Sequence, residues 1–166
     1  PEVGKLFLEA GIAKIELSAG EFVSDSVFEK IALLSQDAKI MLHNYFPPAK
    51  LPFVLNLASL NTVISRKTLN FFEHSIDLSA RLGAEYYGIH SGFLVDPDVK
   101  QLGNRILNKE IANREIAMEL FSQRTSDLAK YAEDKGVRLL VENNVLSHQN
   151  YLENGKDILL LSSPQE

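Results

Sequence analysis

Apolar and polar positions along the chain change period several times, and each change marks an element. Val3, Leu6, Phe7 and Ala10 recur at helical spacing, with Gly11 as the stop. Ala13 to Leu17 reads as a strand. Ser26 and Glu29 form a capping-box pair opening a helix in which Val27, Ile31 and Leu34 share a face. Lys39 to His43 is the next strand. Pro47, Pro48 and Pro52 break regular structure after it, so 44–64 reads as a long loop, a length that tends to carry function. A helix from about Ser65 to Leu82 places Leu69, Phe72, Ile76 and Ala80 on one side and ends at Gly83. Glu85 to His90 is a third strand, followed by a loop through Ser91-Gly92-Phe93 and Asp96-Pro97-Asp98. A long helical stretch, about Lys109 to Asp134, is expected to bury Ile116, Leu120, Leu128 and Tyr131; Gly136 closes it and Val137 to Glu142 is the fourth strand. Ile158 to Leu161 reads as a further short strand. Helices and strands alternate throughout, which predicts an α/β fold with a parallel sheet and helices packed outside it.

Three of these strands end on polar residues suited to chemistry: Leu42-His43-Asn44, Ile89-His90-Ser91 and Val141-Glu142-Asn143-Asn144. Parallel strands joined by helices bring their C-terminal tips to one rim, where two imidazoles and a carboxylate make a metal or acid–base site. Glu142 there can hold a cation or take a proton from carbon, and the amides beside it can bind hydroxyls. A solvated strand end that begins a turn explains the same residues equally well. His90 is a candidate ligand, with Gly92 allowing close backbone approach, although an isolated histidine is more often satisfied by the backbone. The same holds for His43, beside which Asn44 and Tyr45 can cap the loop or touch a substrate. Glu16 lies at an alternate position on its strand; a closed barrel could turn it inward, and an exposed carboxylate is the plainer reading. His74 is expected on the outside of its helix, and His148 in a polar loop after the fourth strand.

Composition narrows these choices. The 166 residues suffice for one domain with a core, and a net charge of −5 without a basic cluster argues against a nucleic-acid partner. With no cysteine, a metal must be held by His, Asp, Glu, amide oxygen or water. No apolar run approaches the ~20 residues that span a bilayer, so a cytoplasmic location without a membrane partner is expected. The glycine-rich phosphate loop, Gly-x-Ser-x-Gly and His-Glu-x-x-His patterns are all missing from the sequence.

Ile15-Glu16-Leu17-Ser18, Leu42-His43-Asn44-Tyr45 with Asn56-Leu57-Ala58-Ser59, Ser79-Ala80-Arg81-Leu82-Gly83-Ala84 leading to Ile89-His90-Ser91-Gly92, and Val141-Glu142-Asn143-Asn144 occur in an order that resembles the xylose isomerase-like TIM-barrel superfamily. That superfamily includes sugar-phosphate isomerases and epimerases and the endonuclease IV class of apurinic-site nucleases. The resemblance implies a (β/α)8 barrel, here a partial one of about four parallel strands. It implies that Glu142 binds a divalent metal (Mn, Mg or Zn) and serves in proton transfer, that His90 binds the metal or a substrate oxygen, and that His43, Asn44 and Asn143 position the hydroxyls of a small-molecule sugar. The reaction implied is isomerisation or epimerisation of a sugar or sugar phosphate by proton abstraction beside a carbonyl, through a metal-stabilised enediolate. His90-Ser91-Gly92 departs from the nuclease pattern His-Pro-Gly, and the glycine-rich run after the nuclease Glu-Asn pair is absent after Asn143. Apurinic-site cleavage by a zinc cluster is therefore the alternative, and a barrel that has lost catalysis and serves as a binding module is a third. A barrel of this type has about eight strands in about 250 residues, and Ser163-Pro164-Gln165-Glu166 has the pattern of a helix start. The expectation is a single incomplete domain over 1–166, cut at both ends and inactive alone, whose open sheet edges are covered by further chain or by a second copy.

Overall fold

The computed structural model describes residues 2–18, 20, 22, 25–107 and 110–163. Its elements are α1 (Glu2–Glu9), β1 (Lys14–Leu17), α2 (Asp25–Leu34), β2 (Lys39–His43), α3 (Thr62–Arg81), β3 (Tyr86–His90), a 3-10 turn (Val99–Gln101), α4 (Arg114–Asp134), β4 (Arg138–Glu142) and α5 (His148–Asn154). The four strands form one parallel sheet in the order β1-β2-β3-β4. Sequential order with every crossover made through a helix is the arrangement of a section of a (β/α) barrel.

Strand periodicity separates the two faces. Ile15, Ile40, Leu42, Tyr87 and Ile89 are buried beneath the helices. Burial of a side chain of this size contributes roughly 1.5–3 kcal/mol. The intervening residues share the opposite face through the registers Glu16↔Met41, His43↔Gly88, Gly88↔Leu140 and His90↔Glu142. That face is the open one; Lys14, Lys39 and Arg138 lie at its N-terminal end, and His43, His90 and Glu142 at its C-terminal end.

α3 covers the sheet with Phe72 and Ile76, and the Phe72 ring meets Tyr87 edge-on at 6.0 Å. It begins three residues before the expected Ser65, because the Asn61 side chain accepts the N–H groups of Val63 at 2.9 Å and Ile64 at 3.4 Å. α4 starts at Arg114, capped by Asn113 on the Ile116 N–H; Lys109 lies outside the described residues. Its buried face is Ala117, Phe121, Leu128 and Ala132, while Ile116 is 50% exposed and Leu120 and Tyr131 are half-buried. The small residues Ala117 and Ala132 let the helix approach the sheet closely, which turns the bulkier Ile116 outward.

Two further expectations are corrected. Ile158 to Leu161 is not a strand: Leu159 forms an isolated antiparallel bridge to Phe93. Ile158, Leu159 and Leu160 are nevertheless buried, because the segment docks on the loop after β3, with Leu94 N–H donating to Ile158 O at 2.7 Å and Leu160 N–H to Gly92 O at 2.9 Å. The polar stretch containing His148 forms α5, capped by Ser147 and ended by Gly155 at φ 64°. In α1, Val3, Leu6 and Phe7 are exposed, and Gly4 faces α2, where an added Cβ would lie 2.5 Å from Leu34 Cδ2. The Ser26 side chain and residues 164–166 lie outside the described residues. No helix among the described residues is long and apolar enough to cross a membrane.

Candidate metal centre

Each of the four strands delivers one histidine or carboxylate to the open face: Glu16 from β1, His43 from β2, His90 from β3 and Glu142 from β4. His43 is the hub. Its Nδ1 lies 3.3 Å from Glu16 Oε1 and its Nε2 lies 3.3 Å from Glu142 Oε2. His90 Nε2 is 3.5 Å from the same Glu142 oxygen, and the two imidazole rings are 4.9 Å apart. The His43 side chain is only 12% exposed, against 43% for His90 and 51% for each carboxylate.

Several backbone features hold these groups in place. Gly88 makes room for His43, since an added Cβ would stand 2.8 Å from its Cδ2. Asn44, 4% exposed, sits at φ 40°, a left-handed conformation that asparagine tolerates. Its N–H donates to Gly88 O, its carbonyl accepts the Tyr87 hydroxyl at 2.7 Å, and its side-chain oxygen accepts the His90 N–H at 3.4 Å. Ser91 ties β3 to β4 by donating its N–H and hydroxyl to the Glu142 carbonyl. Asn144 donates its amide to the carbonyls of Ser91, Gly92 and Leu160, locking the loops above the two strands together. Behind them, buried Asn56 accepts the N–H groups of Ala58 and Phe93 and donates to Phe93 O, Val95 O and Asp96 Oδ1.

The electrostatics of the hub are incomplete. A neutral imidazole carries one proton, and both nitrogens of His43 face carboxylates. His43 Nε2 is buried and has no hydrogen-bond partner, so its 3.3 Å approach to Glu142 is proximity without an aligned bond. Burial, and then the neighbouring His43, hold the His90 pKa below its ordinary value against the opposing pull of Glu142 and Glu16. A neutral His90 offers a lone pair rather than a second positive charge. One ligand atom from each of His43, His90 and Glu142 lies within 4.8 Å of the others. Donors on a tetrahedral shell with bonds of ~2.1 Å are spaced by ~3.4 Å, which matches the 3.3 and 3.5 Å separations from the Glu142 oxygen. The orphaned nitrogen, the adjacent carboxylate and the second imidazole therefore fit a divalent cation.

The structure thus brings together His43, His90 and Glu142 from the sequence-predicted set, with Asn44 beside them. Asn143 follows Glu142 and is exposed. His74 is exposed on α3, as expected, and His148 is exposed at the start of α5. Glu16 belongs to the cluster; the signal for it was the alternation of Ile15-Glu16-Leu17, which places it on the same face as His43.

Comparison with known proteins agrees with this fold. The profile of the xylose isomerase-like TIM barrel matches residues 8–158, and the chain belongs to that family. Similar solved structures include a D-tagatose 3-epimerase-like protein, with 17% identity and TM-score 0.64 over 87% of this chain and 49% of that one. The D-psicose 3-epimerase of Clostridium cellulolyticum, solved with D-tagatose, has 16% identity and TM-score 0.66 over 90% and 48%. The TTHB071 protein of Thermus thermophilus, from a crystal soaked with ZnCl2, has 25% identity and TM-score 0.58 over 89% and 52%. The chain spans about half the length of these structures. A search of curated protein sequences returns no match.

Proposed function

We propose that this chain supplies a divalent-metal centre to an isomerase or epimerase of sugars or sugar phosphates. One observation carries the reading: a buried imidazole nitrogen without a hydrogen-bond partner, His43 Nε2, is held against the Glu142 carboxylate beside a second imidazole at the strand tips. Glu142 and His90 are the proposed ligands, and the geometry adds His43 Nε2 as a third. A mixed imidazole–carboxylate set suits Zn or Mn, and Mg less well. When bound, the cation would supply Lewis acidity beside a carbonyl, which makes the neighbouring C–H more acidic. Glu142 is the proposed base, since its half-exposed carboxylate faces the open side of the sheet, where a substrate can approach. Exposed Asn143 and the edge of His43 would meet substrate hydroxyls, and Asn44 would act mainly by fixing the backbone of His90. The names of the similar epimerases support a sugar as substrate.

The test is conversion of ketohexoses, followed by chromatography, using the whole metal-loaded protein. Glu142→Gln is expected to lower kcat by at least about a hundredfold, the scale of lost general-base catalysis. Turnover unchanged by that substitution would overturn the assignment. The pairing of two histidines with the glutamate also favours a second reading, a zinc phosphodiesterase of apurinic sites. That reading requires several zincs per protein and salt-sensitive DNA binding.

A further inference from the structure

We propose that Glu16 is a positioning residue for His43: its carboxylate, 3.3 Å from Nδ1, holds the imidazole proton on that nitrogen and leaves Nε2 bare toward Glu142. The inference rests on the metal-centre reading above and adds the residue that prepares one of its ligands.

An ionised carboxylate only accepts hydrogen bonds. The single proton of a neutral His43 therefore goes either to Nδ1, facing Glu16, or to Nε2, facing Glu142. With the proton on Nε2, the buried nitrogen cannot serve as a ligand, and the Nδ1 lone pair is left against the Glu16 carboxylate. With the proton on Nδ1, Glu16 at 3.3 Å is the carboxylate placed to accept it, and the Nε2 lone pair is left toward the cluster. Among the described residues, Glu16 and Glu142 are the two charged groups within ion-pair reach of His43, so the choice of tautomer lies between them. Glu142 also neighbours His90, and engaging it with a cation settles the contest in favour of Glu16. Ligating histidines commonly donate their second N–H to a carboxylate that fixes ring orientation and raises ligand basicity, and losing that partner typically weakens metal affinity 10–100-fold.

Glu16 sits on the exposed face of β1 with its side chain 51% accessible, so substitutions there leave the core untouched. The experiment compares the wild-type chain with Glu16→Ala and Glu16→Gln. Nitrogen-15 shifts of the His43 ring are recorded at about pH 8 without metal and again with added Zn, and Zn affinity is measured by calorimetry. The wild type is expected to show the Nδ1–H tautomer in the Zn-bound state. Glu16→Ala should shift the metal-free tautomer toward Nε2–H and weaken Zn binding about 10–100-fold. Glu16→Gln, whose side-chain oxygen still accepts a hydrogen bond, should recover most of the affinity. Unchanged tautomer populations and affinity in Glu16→Ala would overturn the proposal. If the wild type binds no Zn, the metal-centre reading fails, and the metal-free ring shifts of wild type and Glu16→Ala still decide whether Glu16 sets the tautomer.

Discussion

At Gly88, any side chain would put a carbon 2.8 Å from His43 Cδ2 and 2.9 Å from Met41 Cε. The position is open because the His43 ring lies across it. Gly88→Ala is therefore expected to destabilise the fold by about 1–3 kcal/mol through overpacking, and to shift the His43 ring resonances. Chemical denaturation and imidazole spectra check both, and an unperturbed ring would show that His43 is not held there. The residues meeting at this point were unequally visible in the sequence. His43, His90 and Glu142 each end an apolar run, so their placement followed from strand polarity. Glu16 lies inside its strand, where a carboxylate reads as solvent-facing until the open face is known to carry the cluster. The three hydrogen bonds of Asn44 depend on a left-handed backbone that nothing in Leu42-His43-Asn44 announces.

Among the elements, α3 and α4 are tied at their outer surface by Asp77, which accepts the Tyr131 hydroxyl at 3.0 Å and lies 2.8 Å from Lys135 Nζ. The Lys135 ammonium, with help from the Tyr131 hydroxyl, holds the Asp77 carboxyl below its usual pKa. The folded state then binds fewer protons than the unfolded one around the carboxylate range. Stability from this group is present above about pH 4 and is lost as the pH falls through the lower folded value. Asp77→Asn should cost less than about 1 kcal/mol at pH 7, because both side chains are substantially exposed. It should also flatten the decline in stability between about pH 5 and 3. Denaturant midpoints across that range test the sign. Leu128 lies on the buried face of α4 as expected, but Ile116 does not, because Ala117 and Ala132 carry much of the contact whereas a search for bulky residues selects Ile116. α5 escaped because only Ser147 and Gly155 mark it, and its seven residues bring little apolar periodicity. The run at 158–160 is apolar because it is buried, and burial alone does not distinguish a strand from a docked loop.

At the scale of the molecule, a four-stranded sheet leaves β1 and β4 each unpaired on one side among the described residues, with Leu140 and Val141 of β4 41% and 39% exposed. Unpaired edges with apolar neighbours recruit further strands. This chain alone is expected to self-associate as its concentration rises, and sedimentation that stays monomeric throughout would refute that. The barrel-like order and parallel direction were legible because alternation of helix and strand permits few other topologies. The convergence of three strand tips, at His43, His90 and Glu142, follows from the same regularity, although the distances within the cluster do not. That convergence is tested most directly by calorimetric titration of the chain with Zn or Mn. The expected result is one divalent ion per chain, with affinity weakened at least about tenfold by Glu142→Gln and by His90→Ala while the circular dichroism spectrum is unchanged. Absence of binding, or binding indifferent to both substitutions, would contradict a metal centre at these residues.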